Sequence, residues 1–215
     1  TYPWTIYVGA KDTTPALREA LTWPEIGEAL REMVASPAAS KTAMLAVGPY
    51  RLAHGTTRAA ANVECVSLVA LDVDSDLPDV GALRDRIRAV GLAAIVHTSS
   101  SDAGPGAPSR KVRVYLRPSR PMAPAESRAV RVVVARELGV TLDSTTSNAD
   151  RIYFAGVLEG TAPREVWTIE GDDVYLSVQT ICCHGDTPGA PGIVARVREE
   201  LERAGCLVRP LRDWL

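Results

Sequence analysis

Val66–Asp76 reads VSLVALDVDSD. Six mostly apolar residues, Val66 to Leu71, are followed by Asp72 and Asp74 with Val73 between them. A short run rich in Val and Leu that ends in an Asp/Ser/Pro turn reads as a buried strand. Side chains alternate along a strand, so Asp72 and Asp74 are expected on one face. Two carboxylates there repel each other in a dry site, and a divalent cation removes the penalty. Hard oxygen ligands suit magnesium or manganese, so Mg2+ or Mn2+ is the expected cofactor. Taken alone, the pair reads more readily as the polar end of an ordinary strand running into a turn.

Outward from this stretch the pattern alternates. Val80 to Val90 is a helix with Val80, Leu83, Ile87 and Val90 on one stripe and Gly91 after it. Leu92 to Thr98 is a second buried strand, and Ser99 to Ser109 (SSSDAGPGAPS) is a Gly/Pro/Ser loop expected to be mobile. Lys111 to Arg117 (KVRVYLR) alternates, with Val112, Val114 and Leu116 on one face and Lys111, Arg113, Tyr115 and Arg117 on the other. Ala125 to Leu138 is a helix, Thr141 to Asp150 is polar, and Arg151 to Ala155 is a strand. The order β-α-β-β-α-β predicts an α+β fold with an RRM-like or ferredoxin-like core at 63–157. Upstream lies an N-terminal α/β extension: a strand at Thr5 to Val8, a helical turn within Thr13 to Ala20, a capped helix at Thr22 to Val34, and a strand at Thr42 to Val47. Pro49 to Asn62 reads as loop. Strands are expected at Val166 to Ile169 and Asp173 to Val178, a linker at Thr187 to Gly192, and a helix at Ile193 to Ala204. The domains expected are 1–170 and a C-terminal extension, 171–215.

The chain has 215 residues, 46% hydrophobic and 23% charged, as in ordinary globular proteins. No apolar run is long enough to span a membrane, and no secretion signal opens the chain. The start at Thr1 is expected of a domain cut from a longer protein. Four cysteines without CxxC spacing fit a reducing, cytoplasmic setting. Cys182, Cys183 and Cys206 read as free thiols packed as small hydrophobes rather than, with His184, a metal site. Between Arg110 and Arg136 stand eight Lys or Arg residues and one acid, so this block carries +7 and the remainder −9. Such a block predicts a specific anionic partner.

In the split βαβ topology Asp72 and Asp74, the segment His97 to Ser101, and the segment Asp143 to Arg151 converge on one sheet edge. Three carboxylates beside cations are what nucleotidyl transfer by two metal ions requires. Asp72, Asp74 and Asp143 would be catalytic metal ligands. Arg113 and Arg151 would clamp phosphate, and the Ser99–Ser109 loop would lay N–H groups on it.

LVALDVDSD, IVHTSSS followed by KVRVYLRPSRP, and LDSTTSNADRIYF resemble the three motifs of the archaeo-eukaryotic primase (AEP) superfamily. They are most similar to primase–polymerase domains of plasmid, phage and mobile-element replication proteins. WPEIGEAL resembles the helix that precedes the first motif. The resemblance implies a DNA primase, a DNA-directed polymerase making primers on a single-stranded DNA template from nucleoside triphosphates, with a helicase domain or protein as companion and no membrane. The second motif departs from the family: Ser101 stands where a His is expected. Ser99, Ser101, Arg110, Arg113, Arg151 and His97 are then the expected nucleotide-binding residues, and Lys111, Arg117 and Arg51 the DNA-binding ones. The alternative is a non-catalytic primase-like replication-initiator module that binds DNA or nucleotide.

Overall fold

A computed structural model describes residues 1–9, 11–142, 148–159, 161, 164–176, 189–203 and 208. The chain divides into two compact units, Thr1–Leu176 and Ser177–Leu215. The first is a mixed α/β unit with several sheets.

Its elements are β1 (Tyr2–Val8), β2 (Leu17–Leu21), α1 (Trp23–Ala35), β3 (Pro37–Ala38), β4 (Leu45–Gly48), β5 (Tyr50–Leu52), β6 (Val63–Val66), β7 (Val69–Val73), α2 (Val80–Val90), β8 (Ala94–Thr98), β9 (Val112–Leu116), α3 (Pro124–Glu137), β10 (Tyr153–Phe154), β11 (Val157–Leu158) and β12 (Val166–Ile169). The described part of the second unit contains α4 (Ala190–Arg203). Among the described residues no helix is long and apolar enough to cross a membrane.

The stretch Val66–Asp76 does not form one strand. β6 pairs with β5, and β7 pairs with β9. The break falls at Ser67, which is fully buried. Its N–H donates to the Pro49 carbonyl at 2.8 Å and its Oγ to the Pro3 carbonyl at 2.6 Å. A residue satisfied by two non-neighbouring segments leaves the ladder, so the apolar run crosses from one sheet to another.

Four strands in the order β12-β8-β9-β7 make the central sheet, antiparallel at each junction. β7 and β8 therefore run in the same direction with β9 between them. Its two faces are both buried, in different company. Val69, Leu71, Val73, Val96, Val112, Val114 and Leu116 join one core with α2 residues Leu83 and Ile87 and α3 residue Val134. Ala70, Ile95 and Tyr115 join a second core with Trp4 of β1, Val47 of β4, Tyr153 of β10 and the α1 stripe Ile26, Leu30 and Met33. Alternation was legible in KVRVYLR, but on the face expected to meet phosphate and DNA Tyr115 is packed against the N-terminal elements.

Three expectations are corrected by pairing. Thr13 to Ala20 supplies no helical turn; Leu17–Leu21 pairs with β1 along its whole length. Arg151 to Ala155 does not close the central sheet: Tyr153 and Phe154 pair with Val47 and Ala46 of β4, in the sheet ordered β10-β4-β1-β2. Pro49 to Asn62 is not wholly loop, because Tyr50–Leu52 forms a strand. Asp173 to Val178 gives only a bridge, Pro118 to Val174, among its described residues. In the second unit α4 begins at Ala190, inside the stretch expected to be linker. Cys182, Cys183, His184 and Cys206 lie outside the described residues.

The helices end where their chemistry demands. Glu25 accepts from the N–H and Oγ1 of Thr22, both at 2.7 Å, at the start of α1. Asp79 caps α2 by accepting from Gly81 N at 2.8 Å and Ala82 N at 3.2 Å. Gly91 closes it at φ 79°, a left-handed conformation that favours glycine. Asp79→Ala removes the acceptor for two otherwise unpaired N–H groups and is expected to lower stability by about 1 kcal/mol in urea denaturation.

Candidate functional site

Asp72 is buried at the end of β7, with a side chain 3% exposed. In the β7–β9 register it stands opposite Arg113, and Arg113 stands opposite His97 across β8. Arg113 Nε donates to Asp72 Oδ1 at 3.1 Å, and its Nη1 donates to the Phe154 carbonyl. Its guanidinium lies 5.8 Å from the Tyr153 ring centroid. Arg151 approaches the other carboxylate oxygen at 3.8 Å. Asp72 is thus neutralised by two guanidiniums.

This arrangement bears on the expected metal. A cation on Asp72 would face Arg113 and Arg151, and among the described residues no group of three His, Cys, Asp or Glu side chains is placed to hold an ion. Asp74 follows the end of β7, half-buried, so strand alternation does not govern it. Asp143 lies outside the described residues. Of the three expected ligands, only Asp72 and Asp74 lie among the described residues.

His97 is 1% exposed and stacks on Tyr115 with ring centroids 5.8 Å apart. Burial, and then the charge of Arg113, push its pKa down to about 3, against a smaller upward effect of its bond to the Thr98 carbonyl. It is a neutral core histidine.

The loop after β8 is more organised than its composition implied. Ser99, Ser100, Asp102 and Arg110 are buried. Asp102 accepts from Arg110 Nε at 3.0 Å and Nη2 at 2.8 Å, from Lys111 N at 2.8 Å and from Gly104 N at 3.2 Å. Burial pushes the Asp102 carboxyl up, but Arg110 and the two N–H groups outweigh it and hold it below the usual range. Arg164 donates to the Ser100 carbonyl at 2.8 Å and the Asp102 carbonyl at 2.9 Å. Ser99 Oγ lies 3.2 Å from Ser101 Oγ and accepts from Ser101 N at 3.3 Å.

These contacts shape a pocket of about 510 Å³, with Thr98, Ser101, Asp102, Arg110, Arg164 and Glu165 among its walls. That volume is in the range of small-molecule sites. Arg164 and Glu165 were not singled out from sequence, because they lie in a weakly patterned stretch about sixty residues downstream of the loop they close. Lowered by burial against a smaller opposing effect of Asp102, the Arg164 guanidinium holds its charge less firmly than an exposed one. Its Nε is buried with no partner among the described residues.

Of the remaining expected contacts, Arg117 and Arg51 are engaged internally. Arg117 pairs with Asp173 and lies 5.8 Å from the Trp23 ring centroid. Arg51 pairs with Glu64 at 2.7 Å on the exposed β5–β6 ribbon. Lys111 is half-buried beside Asp102, to which its N–H donates.

Residues 132–215 match the model of the LamB/YcsF family. Curated relatives carry the name of a 5-oxoprolinase subunit. The protein of Thermus thermophilus is 45% identical over 53 residues, 25% of this chain and 20% of that protein. That of Mycobacterium avium is 38% identical over 79 residues, 37% of this chain and 29% of that protein. That of Pseudomonas aeruginosa is 39% identical over 56 residues, 26% and 22% of the two chains. The chain therefore spans less than a third of the length of these relatives. Among solved structures, the AEP domain of the cyanophage S-2L primase–polymerase overlaps 80% of this chain and 83% of that one, at 14% identity and a TM-score of 0.42. That overlap is too loose to establish a shared fold.

The matches correct the assignment drawn from the motifs. Membership of the archaeo-eukaryotic primase superfamily is overturned by the similarity to the 5-oxoprolinase subunits. With it go the DNA-directed polymerase activity, the primase-like initiator alternative, and the expected partners: single-stranded DNA, nucleoside triphosphates and a helicase. The physical reason lies in the motif itself. A buried strand ending in Asp-x-Asp needs few residues to specify and arises wherever an acid must meet a buried arginine, as Asp72 meets Arg113.

Two outcomes test this description of the site. Arg113→Ala leaves the Asp72 carboxylate buried without its closest counter-charge and is expected to destabilise by about 3–5 kcal/mol, while adding Asp72→Ala recovers part of the loss. Denaturation of the three variants measures it; full additivity would mean that the pair is not coupled. Acid should act through His97. The unfolded histidine, at its ordinary 6.5, takes up a proton that the folded one refuses until about 3. Stability is therefore unaffected by this group above pH 6.5 and falls below it, by about tenfold in the folding equilibrium per pH unit. His97→Gln should flatten that slope between about pH 6 and 4.

Proposed function

We propose that the chain serves a reaction of the 5-oxoprolinase type, the hydrolytic opening of a small cyclic amide bearing a carboxylate. The observation that carries this reading is the similarity of residues 132–215 to the LamB/YcsF family, together with the relatives named for 5-oxoprolinase. Thr161, Arg164 and Glu165 of the pocket wall fall inside the matched stretch. In the reaction, water adds to the amide carbonyl and the ring C–N bond breaks. The nitrogen takes a proton, and 5-oxoproline becomes glutamate. The pocket offers two groups suited to such a substrate. Arg164, half-buried and without a carboxylate in hydrogen-bonding contact among the described residues, would bind the substrate's own carboxylate by charge-assisted hydrogen bonds. Glu165, half-exposed on the wall, would be the carboxylate for proton transfer. Ser101 and the Asp102–Arg110 pair would hold the wall in place. The word subunit in the relatives' name supports a further part of the proposal, that the chain works in assembly with companion proteins.

We also infer that β7, α2, β8, β9 and α3 form a split βαβ core of the RRM or ferredoxin-like kind. The order β8-β9-β7 and the helices on one face support that reading. A cytoplasmic setting is part of the same proposal.

Incubation of the protein with 5-oxoproline, alone and with the companion subunits of a bacterial 5-oxoprolinase, tests the function by glutamate release. Glutamate above the protein-free control is expected. Arg164→Ala is expected to weaken substrate binding by about ten- to a hundredfold, the equivalent of about 1.5–3 kcal/mol for a charged hydrogen bond. Neither calorimetric binding of 5-oxoproline nor glutamate release under either condition would overturn the proposal.

A further inference from the structure

Among the described residues β12, at one end of the central sheet, pairs with β8 alone. In the β12–β8 register Val166 stands opposite His97, so Glu165 stands opposite Thr98. The Thr98 N–H donates to the Glu165 carbonyl at 3.0 Å, which makes these two a hydrogen-bonded pair. Such pairs alternate along an antiparallel ladder. One residue on, Ser99 N–H donates to the Lys111 carbonyl on the β9 side, as the alternation requires. Trp167 and Ile169 therefore turn their N–H and C=O groups to β8, and Val166 and Thr168 turn theirs away from the sheet. No other described segment pairs with these outward groups. Thr168 is exposed, and Val166 and Trp167 are half-buried.

An open sheet edge is a template for another strand, and proteins blunt such edges with charges, prolines or bulges. β2, an end strand of the other four-stranded sheet, carries Arg18 and Glu19. β12 consists of Val166, Trp167, Thr168 and Ile169, with neither a charge nor a proline among them. The helices on its two faces hold its side chains in place. Arg31 of α1 donates to Thr168 Oγ1 at 2.8 Å, and Arg84 of α2 lies 4.8 Å from the Trp167 ring centroid.

The stretch around β12, Arg164–Glu170, reads REVWTIE and complements its own reverse. About a two-fold axis through Trp167, antiparallel pairing with a second copy sets Val166 opposite Thr168, Trp167 opposite Trp167 and Arg164 opposite Glu170. The outward residues Val166 and Thr168 then form the hydrogen-bonded pairs, and unlike charges meet at both ends. Trp167 falls at a non-hydrogen-bonded position, where facing side chains come closest and an aromatic pair is favourable. A register two residues away leaves outward groups of the strand facing residues beyond its end, and sets Trp167 against Glu165 or Ile169 instead.

We propose that β12 is the contact strand of a symmetric dimer, in which two copies of the chain join edge to edge, β12 against β12, into one continuous antiparallel sheet. The contact is isologous, the same patch serving both copies. Arg164 and Glu165 border the pocket and directly precede β12, so each pocket lies beside the junction, with Glu170 of the second copy opposite Arg164. The dimer goes beyond the reaction proposed above and does not depend on it.

Sedimentation equilibrium of the full chain tests this. A mass about twice the 23.0 kDa of one chain is expected at tens of micromolar protein. Thr168→Pro removes an outward N–H and leaves the ladder to β8 intact, so the variant is expected to give the single-chain mass with the circular dichroism of the parent. Amide hydrogen exchange on the unaltered protein gives a second reading: Val166 and Thr168 N–H groups are expected to be protected in the dimer and to lose that protection in the single chain. A single-chain mass up to millimolar protein would overturn the proposal. So would a Thr168→Pro variant that still dimerises, which would place the contact elsewhere. Protection of Val166 and Thr168 that persists in the single chain would overturn it too, since another segment of the same chain would then cover the edge. The mass and exchange measurements need no substitution and decide the matter if the variant fails to fold.

Discussion

The pair of Asp72 and Arg113 is the constraint on which the first unit depends. Arg113 stands in the middle of β9, with β7 on one side and β8 on the other. Its guanidinium bonds to Asp72 of β7 and to the Phe154 carbonyl of β10, which belongs to a different sheet. One side chain thus ties two sheets across a layer whose other contacts are mainly apolar. A charge so deeply placed is tolerated because its hydrogen bonds and counter-charge are supplied on site. Remove either partner and the other becomes the most expensive group in the core.

The two faces of the central sheet divide the labour that follows from this. The face of Val69, Leu71, Val112 and Val114 buries against α2 and α3, and its apolar residues need only shape. The opposite face carries Asp72, His97, Arg113 and Tyr115 among Trp4 and Tyr153, and there the charged pair must be matched as well as packed. The bond from Arg113 to the Phe154 carbonyl ties β10 to that layer. Burial first, and then the charge of Arg113, keep His97 neutral in the same layer.

What the sequence made legible was whatever is decided within a few residues. Thr22, Pro24 and Glu25 announced α1, Asp79 and Gly91 bracketed α2, and alternation marked β9. What it hid was decided by distant segments. Ser67 breaks the apolar run only because Pro3 and Pro49 lie beside it. Tyr153 and Phe154 pair with β4, about a hundred residues earlier, rather than with the central sheet. Half of the candidate site was visible, since Ser99, Ser101 and Arg110 do border or brace the pocket. The other half, Arg164 and Glu165, had no local signature. Asp102 was read as one polar residue in a Gly/Pro loop, whereas it gathers the loop around itself by accepting from Arg110, Lys111 and Gly104.

The basic block from Arg110 to Arg136 carries the most general lesson. Along the chain it is a run of eight cations with one acid, the pattern of a surface awaiting an anion. Among the described residues four acids meet cations of the block: Asp102 meets Arg110, Asp72 meets Arg113, Asp173 meets Arg117 and Glu126 meets Arg120. Three of these four acids lie outside the block, so part of the negative charge on the rest of the chain is the counterpart of its positive charge. Coulomb energy depends on distance through space, and at the low effective dielectric of a buried pair the nearest counter-charge dominates over the sum along the chain. Charge counted by position in sequence therefore overstated the need for an outside partner. Arg164, whose described hydrogen bonds all go to backbone carbonyls, lies outside the block that drew attention to charge at all.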